Sequence, residues 1–402
     1  MTEIAPVDEI HEKMRQRAAA AGVRRIHVFT FRDREDPEAG GSEEHAYWMC
    51  RHLAAADLEV VLHAAAIPGL PERVTRDGFE VVRRGGRLGV FGTSVVDEVS
   101  GRLGRADAVI EIFHGAPFFT PLWSRKPQVA FVHHVHLDTW HLLLPGFLGR
   151  VGDALERYGT PLVYRSRAMV APSESARREI LRHYRTRPDR TYVAPNGVAD
   201  RFEPGGTRAE RPLVVAVARF MPQKRLDDLV RVLVEVKRRV ADLDAVIVGD
   251  GPEHANVQAL VRELGADDWL QLPGRLDDVD VVAWYQRAWA VVSASLREGF
   301  GLTLTEAGAC GTPGVATRIP GHVDAVDDGV SGLLADDFDE LADAIVTVLG
   351  DPELRDKLAQ GALDHAQQFS WEAATAAVLD ALCDEVDRAR TRPRLRFRAL
   401  DR

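Results

Sequence analysis

Two glutamates stand eight residues apart in segment 295–312, SLREGFGLTLTEAGACGT: Glu298 on a glycine-bearing loop, and Glu306 about one turn into a helix expected to start near Leu302 or Thr303. An ionised carboxylate only accepts hydrogen bonds and takes several at once, which suits the vicinal hydroxyls of a sugar or a ribose. The glycines of Glu298-Gly299-Phe300-Gly301 let backbone approach a ligand closely. The first N–H groups of the following helix have no internal partner, and such an end attracts a phosphate. A plainer reading stands beside this one: Glu298 caps the helix, and Glu306 is an early-helix acid favoured by the dipole.

A second element, Arg219-Phe220-Met221-Pro222-Gln223-Lys224-Arg225, follows the apolar run 213–218 and precedes a helix with Leu226, Leu229, Val230 and Leu233 on one face. Positive charge is disfavoured at a helix N-terminus, so the dipole does not explain Arg219 and Lys224; a bound diphosphate does. At an effective dielectric near 20, a charge pair at 4 Å is worth about 4 kcal/mol before desolvation. The alternative is a pair of ordinary surface charges. Gly40-Gly41-Ser42-Glu43-Glu44-His45 permits a tight turn, with Ser42 as helix cap and His45 as the third helical residue. A backbone loop of this kind lines the second wall of a phosphate site.

His133-His134-Val135-His136 comes directly after the apolar run 128–132. No CxxC or HExxH partner accompanies it, so no metal site is expected. An imidazole at a strand end suits hydrogen bonding to a sugar or phosphate. His133 is preferred to His134 as the first residue past the strand; backbone-satisfied histidines are the bland alternative. Gly249-Asp250-Gly251-Pro252-Glu253 lacks the spacing of a dinucleotide fingerprint and reads as a turn able to approach a flat base. Cys310 has no base beside it in sequence and reads as a packed thiol.

The elements that must position these groups alternate short β-rich apolar runs with helical patterns, which predicts parallel sheets covered by helices. Strands are expected at 25–31, 59–64, 79–83, 108–113, 128–132, 168–171 and 191–194. A second set is expected at 213–218, 245–248, 270–272, 290–293, 314–317 and 332–334. Pro195-Asn196-Gly197 and the segment 201–206 punctuate the chain and mark a linker at about 196–210. The domains are therefore 1–196, 197–370 and a C-terminal segment 371–402. In the last, Ala374, Val378, Leu379, Leu382 and Val386 fall at helical spacing before a tail rich in arginine. Ligands of open α/β sheets lie beyond the carboxyl ends of the strands, where the residues above are placed.

The chain has 402 residues, 51 basic and 61 acidic, for a net charge of −10, which argues against a dedicated nucleic-acid binder. Three scattered cysteines exclude a disulfide framework and suit a reducing compartment. No signal peptide is recognisable, and the apolar runs are far shorter than the roughly 20 residues of a membrane helix. A cytoplasmic protein is expected. Segment 150–190 nevertheless holds ten arginines against five acids, and residues 388–402 hold seven arginines against one aspartate. Either region provides a peripheral contact with the inner membrane face.

Taken together, Glu298-x7-Glu306 within EGFGLTLTEA, Arg219 through Lys224, VGDGPE at 248–253 and Pro-Asn196-Gly197-Val resemble the retaining glycosyltransferases of family 4 (group 1). The glycines at 40–41 and the histidine after 128–132 agree in order and spacing. The resemblance spans roughly residues 25–335 and is looser in the first half. It implies a GT-B fold: two Rossmann-like α/β domains facing a central cleft, with the C-terminal helix packing back toward the first. It implies that Glu306 binds the ribose of a nucleotide sugar and that Glu298 holds the transferred sugar. Gly299, Phe300, Gly301 and Leu302 present backbone, Arg219 and Lys224 neutralise the diphosphate, Gly41 closes over it, and His133 sits near the reacting centre. With no DxD cluster at a strand end, those cations and a helix N-terminus replace a divalent ion, so transfer is expected to need neither metal nor cofactor. Retention is inherited from the resemblance, with Glu298 as a covalent nucleophile a variant.

The expected donor is a UDP- or GDP-sugar, since a deoxyribose loses one contact to Glu306; the acceptor is a hydroxyl of unspecified type. The rivals are a nucleotide-sugar epimerase on a similar scaffold, which needs acid–base carboxylates in the first domain, and a sugar-nucleotide-binding protein without turnover. A phosphorylase needs a lysine for pyridoxal phosphate, and Lys224 alone is poor support.

Overall fold

The computed structural model describes residues 6–113, 115–137, 139–143 and 146–391. The first half forms an eight-stranded sheet of β1 (Arg25–Phe29), β2 (Glu59–Ala64), β3 (Arg73–Arg76), β4 (Phe79–Arg83), β5 (Ala108–Phe113), β6 (Gln128–Val132), β7 (Ala168–Ala171) and β8 (Thr191–Val193). Its spatial order is β3-β4-β2-β1-β5-β6-β7-β8, parallel throughout except for β3, which runs antiparallel to β4. The second half forms an all-parallel sheet of β9 (Leu213–Val217), β10 (Asp244–Val248), β11 (Leu270–Gly274), β12 (Ala290–Ser293), β13 (Gly314–Thr317) and β14 (Gly332–Ala335), in the order β11-β10-β9-β12-β13-β14.

Helices cover both faces, so the central strands are buried along their whole length. β5 and β6 have no exposed residue, and their unbroken apolar runs reflect this. β3 escaped the sequence reading because Arg-Val-Thr-Arg is an edge strand with exposed arginines and almost no apolar signal. Asp244 opens β10 instead of preceding it. It therefore lies at the strand's amino end, away from the ends that face the cleft.

Helix Trp371–Thr391 leaves the second half and packs against the first. Val378, Leu379, Leu382 and Cys383 are fully buried in the cluster built on β1, β5, β6 and β7. A fully buried leucine contributes about 1.5–3 kcal/mol relative to an exposed one, so this crossing helix is part of the first core. Arg17 of helix Val7–Ala21 donates to Asp384 at 2.8 Å and to Asp387 at 3.0 Å, and Arg190 forms a buried pair with Glu385. The two connections between the sheets run side by side. Val198 N donates to Phe369 O at 3.1 Å, and a Cβ on Gly197 would stand 2.1 Å from the Trp371 nitrogen. The arginine-rich tail beyond residue 391 lies outside the described residues.

Candidate active site

In each sheet the strand order reverses beside its first strand: β1 lies between β2 and β5, and β9 between β10 and β12. The loops leaving the strands at such a point diverge and open a crevice. In the second sheet these are the loops after β9 and β12, the segments that carry Arg219, Lys224 and Glu298.

The two loops meet. Lys224, in the 3-10 turn Pro222–Lys224, forms an ion pair with Glu298, and Ser295 Oγ donates to the same carboxylate oxygen at 2.8 Å. Burial pushes the Glu298 carboxyl up, but the charges of Lys224 and His322 and the hydrogen bonds from Lys224 and Ser295 outweigh it and hold the group below the ordinary glutamate range. His322 lies beneath, fully enclosed, with Nδ1 2.8 Å from Thr317 O and Nε2 3.2 Å from Ser293 Oγ. Glu298 is thus an ionised acceptor, not a helix cap.

Gly301, at φ +93°, caps helix Leu302–Ala309, whose first N–H groups have no partner within the helix. Phe300 is buried edge-on against Phe369, with ring centroids 5.0 Å apart, so it offers only backbone to a ligand. Glu306 is half-buried, and among the described residues its one hydrogen-bonding neighbour, Tyr285 OH, stands at a long 3.5 Å. Burial pushes its carboxyl up to about 8; Arg201 opposes that rise while Glu44 and Asp278 add to it. A dipole-favoured acid would titrate low, so the helix end does not account for Glu306. It is a desolvated acceptor short of donors.

Arg219 reaches across the crevice. Its Nη1 donates to Glu38 O at 3.1 Å, and a Cβ on Gly40 would lie 3.0 Å from its Nε, so this guanidinium seats against the backbone of the glycine pair. Gly41 faces Leu302, whose Cδ2 would stand 3.8 Å from a Cβ there. Helix Gly41–Ala55 begins two residues earlier than expected: Gly40 is the cap, and the Glu43 carboxylate accepts from Gly40 N at 2.8 Å and from Ser42 Oγ at 2.9 Å. Ser42 is therefore a helical residue, because the acid three residues past Gly40 satisfies the free amide better. The turn Gly249-Asp250-Gly251 packs on the loop after β9 instead of lying open for a base. Cβ atoms there would clash with Ala218 O at 1.9 Å and Phe220 O at 2.5 Å, and Phe220 N donates to Asp250 O at 2.9 Å. Its glycines hold Arg219 in place.

On the first-domain wall, His133 is buried, with its ring 5.0 Å from those of both Phe131 and His45, while His134 is half-exposed and its ring lies 4.0 Å from that of His136. The His133 carbonyl backs directly onto the loop that carries Glu298: a Cβ on Gly299 would stand 2.1 Å from it. Ser173 Oγ donates to Gly299 O at 2.9 Å. Arg297 donates to Val135 O at 3.2 Å and pairs with Glu179 at 3.0 Å, and Ser175 binds Asp324 and Gly321. These bridging residues carry no sequence motif, and only the neighbouring position of Arg297 to Glu298 hinted at one of them. Glu156 and Glu111 were likewise missed. Glu156 accepts from His136 N at 2.8 Å, Trp140 Nε1 at 2.6 Å and the Tyr184 hydroxyl, and Glu111 accepts from Phe118 N at 2.6 Å and from Tyr164 OH. Cys310 is a buried thiol pushed up to about 12 by its burial. Among the described residues no group of three His, Cys, Asp or Glu side chains could hold a metal ion.

Two facing Rossmann-like domains with these loops at their switch points define an enzyme of the GT-B class. The family described as Glycosyl transferases group 1 matches residues 199–365, and Glycosyltransferase Family 4 matches residues 39–202. A D-inositol 3-phosphate glycosyltransferase of Frankia alni is 30% identical over 385 residues, covering 85% of this chain and 94% of that protein. A sucrose-phosphate synthase structure from Thermosynechococcus elongatus superposes with a TM-score of 0.73 at 20% identity, covering 88% of this chain and 96% of that one. The Anabaena Alr3699/HepE protein, solved in complex with UDP and glucose, gives a TM-score of 0.67 at 17% identity over 91% and 99% of the two chains. The chain belongs to the family 4 (group 1) glycosyltransferases and is a glycosyltransferase that uses a nucleotide-sugar donor.

Proposed function

We propose that this glycosyltransferase moves a sugar from UDP or GDP to a hydroxyl acceptor, with retention and without a metal ion. The observation that carries the reading is the convergence of Lys224, Arg219, Glu298 and the start of helix Leu302–Ala309 on one crevice. When the anomeric C–O bond breaks, its electron pair goes to the diphosphate oxygen, and positive charge develops on the sugar. Lys224, Arg219 and the helix amides stand where the negative charge grows. Both donors to Glu298 engage Oε1, so Oε2 is the oxygen left for a sugar hydroxyl. Its engagement by Lys224 favours a holding role over a covalent one. Glu306, short of donors, takes the ribose hydroxyls. The acceptor oxygen then bonds to the anomeric carbon and gives its proton to the departing phosphate oxygen, with His133 and His45 on the wall beside it. Burial holds His45 well below the ordinary histidine range.

The acceptor side has a second feature. Phe147, Leu148, Leu155, Tyr158 and Leu162 recur at helical spacing along residues 147–164, and Phe147, Tyr158 and Leu162 are at least 70% exposed. Exposed Arg150, Arg157 and Arg165 flank them. Helix Trp140–Leu143, just before this face, lies against the turn that carries Lys224. An apolar stripe rimmed by arginines supports peripheral contact of a cytoplasmic enzyme with an anionic membrane, beside the mouth that admits the acceptor. Among the described residues no helix is long and apolar enough to cross a membrane.

Thermal denaturation with UDP, GDP, ADP and dTDP, each with and without EDTA, tests the donor reading. A nucleotide at 100 times its Kd stabilises by about 2.7 kcal/mol. Stabilisation by UDP or GDP that survives EDTA is the expected result, and stabilisation only with a divalent ion overturns the metal-free mechanism. Flotation with phosphatidylglycerol vesicles tests the membrane contact, and failure to float at low salt removes it.

A further inference from the structure

Arg32 follows β1 on the first-domain wall and takes no part in the reading above. It is 6% exposed, and its buried Nε has no hydrogen-bond partner among the described residues. Its Nη1 donates to Glu38 O at 3.0 Å, the same carbonyl oxygen that Arg219 approaches at 3.1 Å from the second domain. Arg275, also from the second domain, donates to the adjacent Pro37 O. Two guanidiniums from opposite walls therefore converge on a single neutral oxygen, beside the glycine pair. A carbonyl cannot neutralise two cations, whereas a diphosphate can, and guanidinium groups match its oxygens in geometry.

The Glu38 carboxylate currently balances Arg32, accepting from Nη2 at 2.8 Å, but it is more than half exposed and also bound to Arg87 at 2.6 Å. It can leave Arg32 without losing a cationic partner. We propose that Arg32 is a second guanidinium ligand for the donor's diphosphate, supplied by the first domain and held by Glu38 until the nucleotide takes its place. This inference rests on the nucleotide-sugar reading.

Titration calorimetry with UDP, UMP, GDP and GMP distinguishes the two. Arg32→Gln is expected to weaken the diphosphate that binds the unaltered chain by about tenfold, the worth of one charged hydrogen bond, and to change the matching monophosphate less than about threefold. Arg32→Lys should recover part of the loss. Glu38→Gln keeps the carbonyl but removes the competing charge, so diphosphate binding should tighten severalfold. If Arg32 serves only to anchor the loop, Arg32→Gln weakens monophosphate and diphosphate equally and Glu38→Gln does not tighten either; that pattern overturns the proposal. Diphosphate binding unchanged in Arg32→Gln also overturns it while leaving the donor reading intact. If the unaltered chain binds neither UDP nor GDP, the donor reading fails first and Arg32 loses its ligand. Circular dichroism melts of all three variants separate lost binding from lost folding.

Discussion

On the second-domain wall of the cleft, Lys224, Ser295 and Glu298 hold one another, and the glycines around them set the backbone at close range. On the first-domain wall, the loop 133–136 is held from beneath by Glu156, which stands 20 residues further along, and from across the cleft by Arg297. One wall is thus braced within itself, by the groups that meet the donor. The other is braced by buried carboxylates and by its opposite number, and it carries an exposed apolar stripe near its edge. The contrast fits a division of labour in which the Lys224–Glu298 pair is set within one domain, whereas the loop 133–136, like the seats of Arg219 and Gly299, depends on the walls being together.

The comparison is broken most severely at the self-braced wall. Glu298→Gln and Lys224→Met should each lower the transfer rate by about 10²–10³, as loss of one preorganised electrostatic group does. In Lys224→Met the Glu298 carboxyl also loses the charge that holds it low, so the acidic limb of the pH–rate profile should move to higher pH. A limb that stays put would show that Glu298 is not the group titrating there. Gly299→Ala tests the contact between the walls. A methyl group 2.1 Å from His133 O must push the loop away, and a displacement of about 1 Å costs up to about a hundredfold in rate. Its nucleotide affinity, read by calorimetry, should fall as well, because the same loop meets the donor.

Glu156→Ala sharpens the contrast from the other side. It leaves His136 N, Trp140 Nε1 and the Tyr184 hydroxyl without their acceptor and should cost about 3 kcal/mol in urea denaturation. Nucleotide binding should be unaffected, and a large loss there would contradict the division. Glu306 predicts a smaller, pH-dependent effect. Its folded-state pKa, about 8, lies above that of the unfolded chain, so the ligand-free fold binds this proton more tightly and loses stability as pH rises from the ordinary carboxyl range to about 8. Nucleotide affinity should move oppositely, rising severalfold toward pH 8 with release of a proton, and Glu306→Gln should flatten both trends. The smallest effect on transfer belongs to the stripe: Phe147→Ser with Tyr158→Ser should abolish vesicle flotation and leave transfer to a water-soluble acceptor unchanged.

The two sheets were legible because their strands are continuous apolar runs buried on both faces. β3, an edge strand of sequence Arg-Val-Thr-Arg, lacked that signal and was missed, and β11, Leu-Gln-Leu-Pro-Gly with exposed residues between, carried it only weakly. The segments that meet at the crevice stood out for two different reasons: Arg219 and Lys224 are cations that a helix start disfavours, while Glu298 and Glu306 were singled out by the glycine loop between them. Ser42 was misread as a cap because side-chain type suggested it, while the Glu43 carboxylate satisfies the Gly40 amide instead. Arg297, Glu111 and Glu156 could not be read because partners of each are brought near only by the folded chain. Glu111, for one, meets Tyr164, and Arg297 meets Glu179.

Gly197 and Trp371 touch where the polypeptide passes out to the second half and back again. A body tethered at two distant places can only bend, but one tethered at a single place can swing. The polar bridges over the crevice can be made and released in each turnover, while the covalent ties share one pivot, so neither must stretch for the jaws to part. A bulkier side chain at position 197 would wedge that pivot and stiffen the swing while leaving every ligand-facing group untouched.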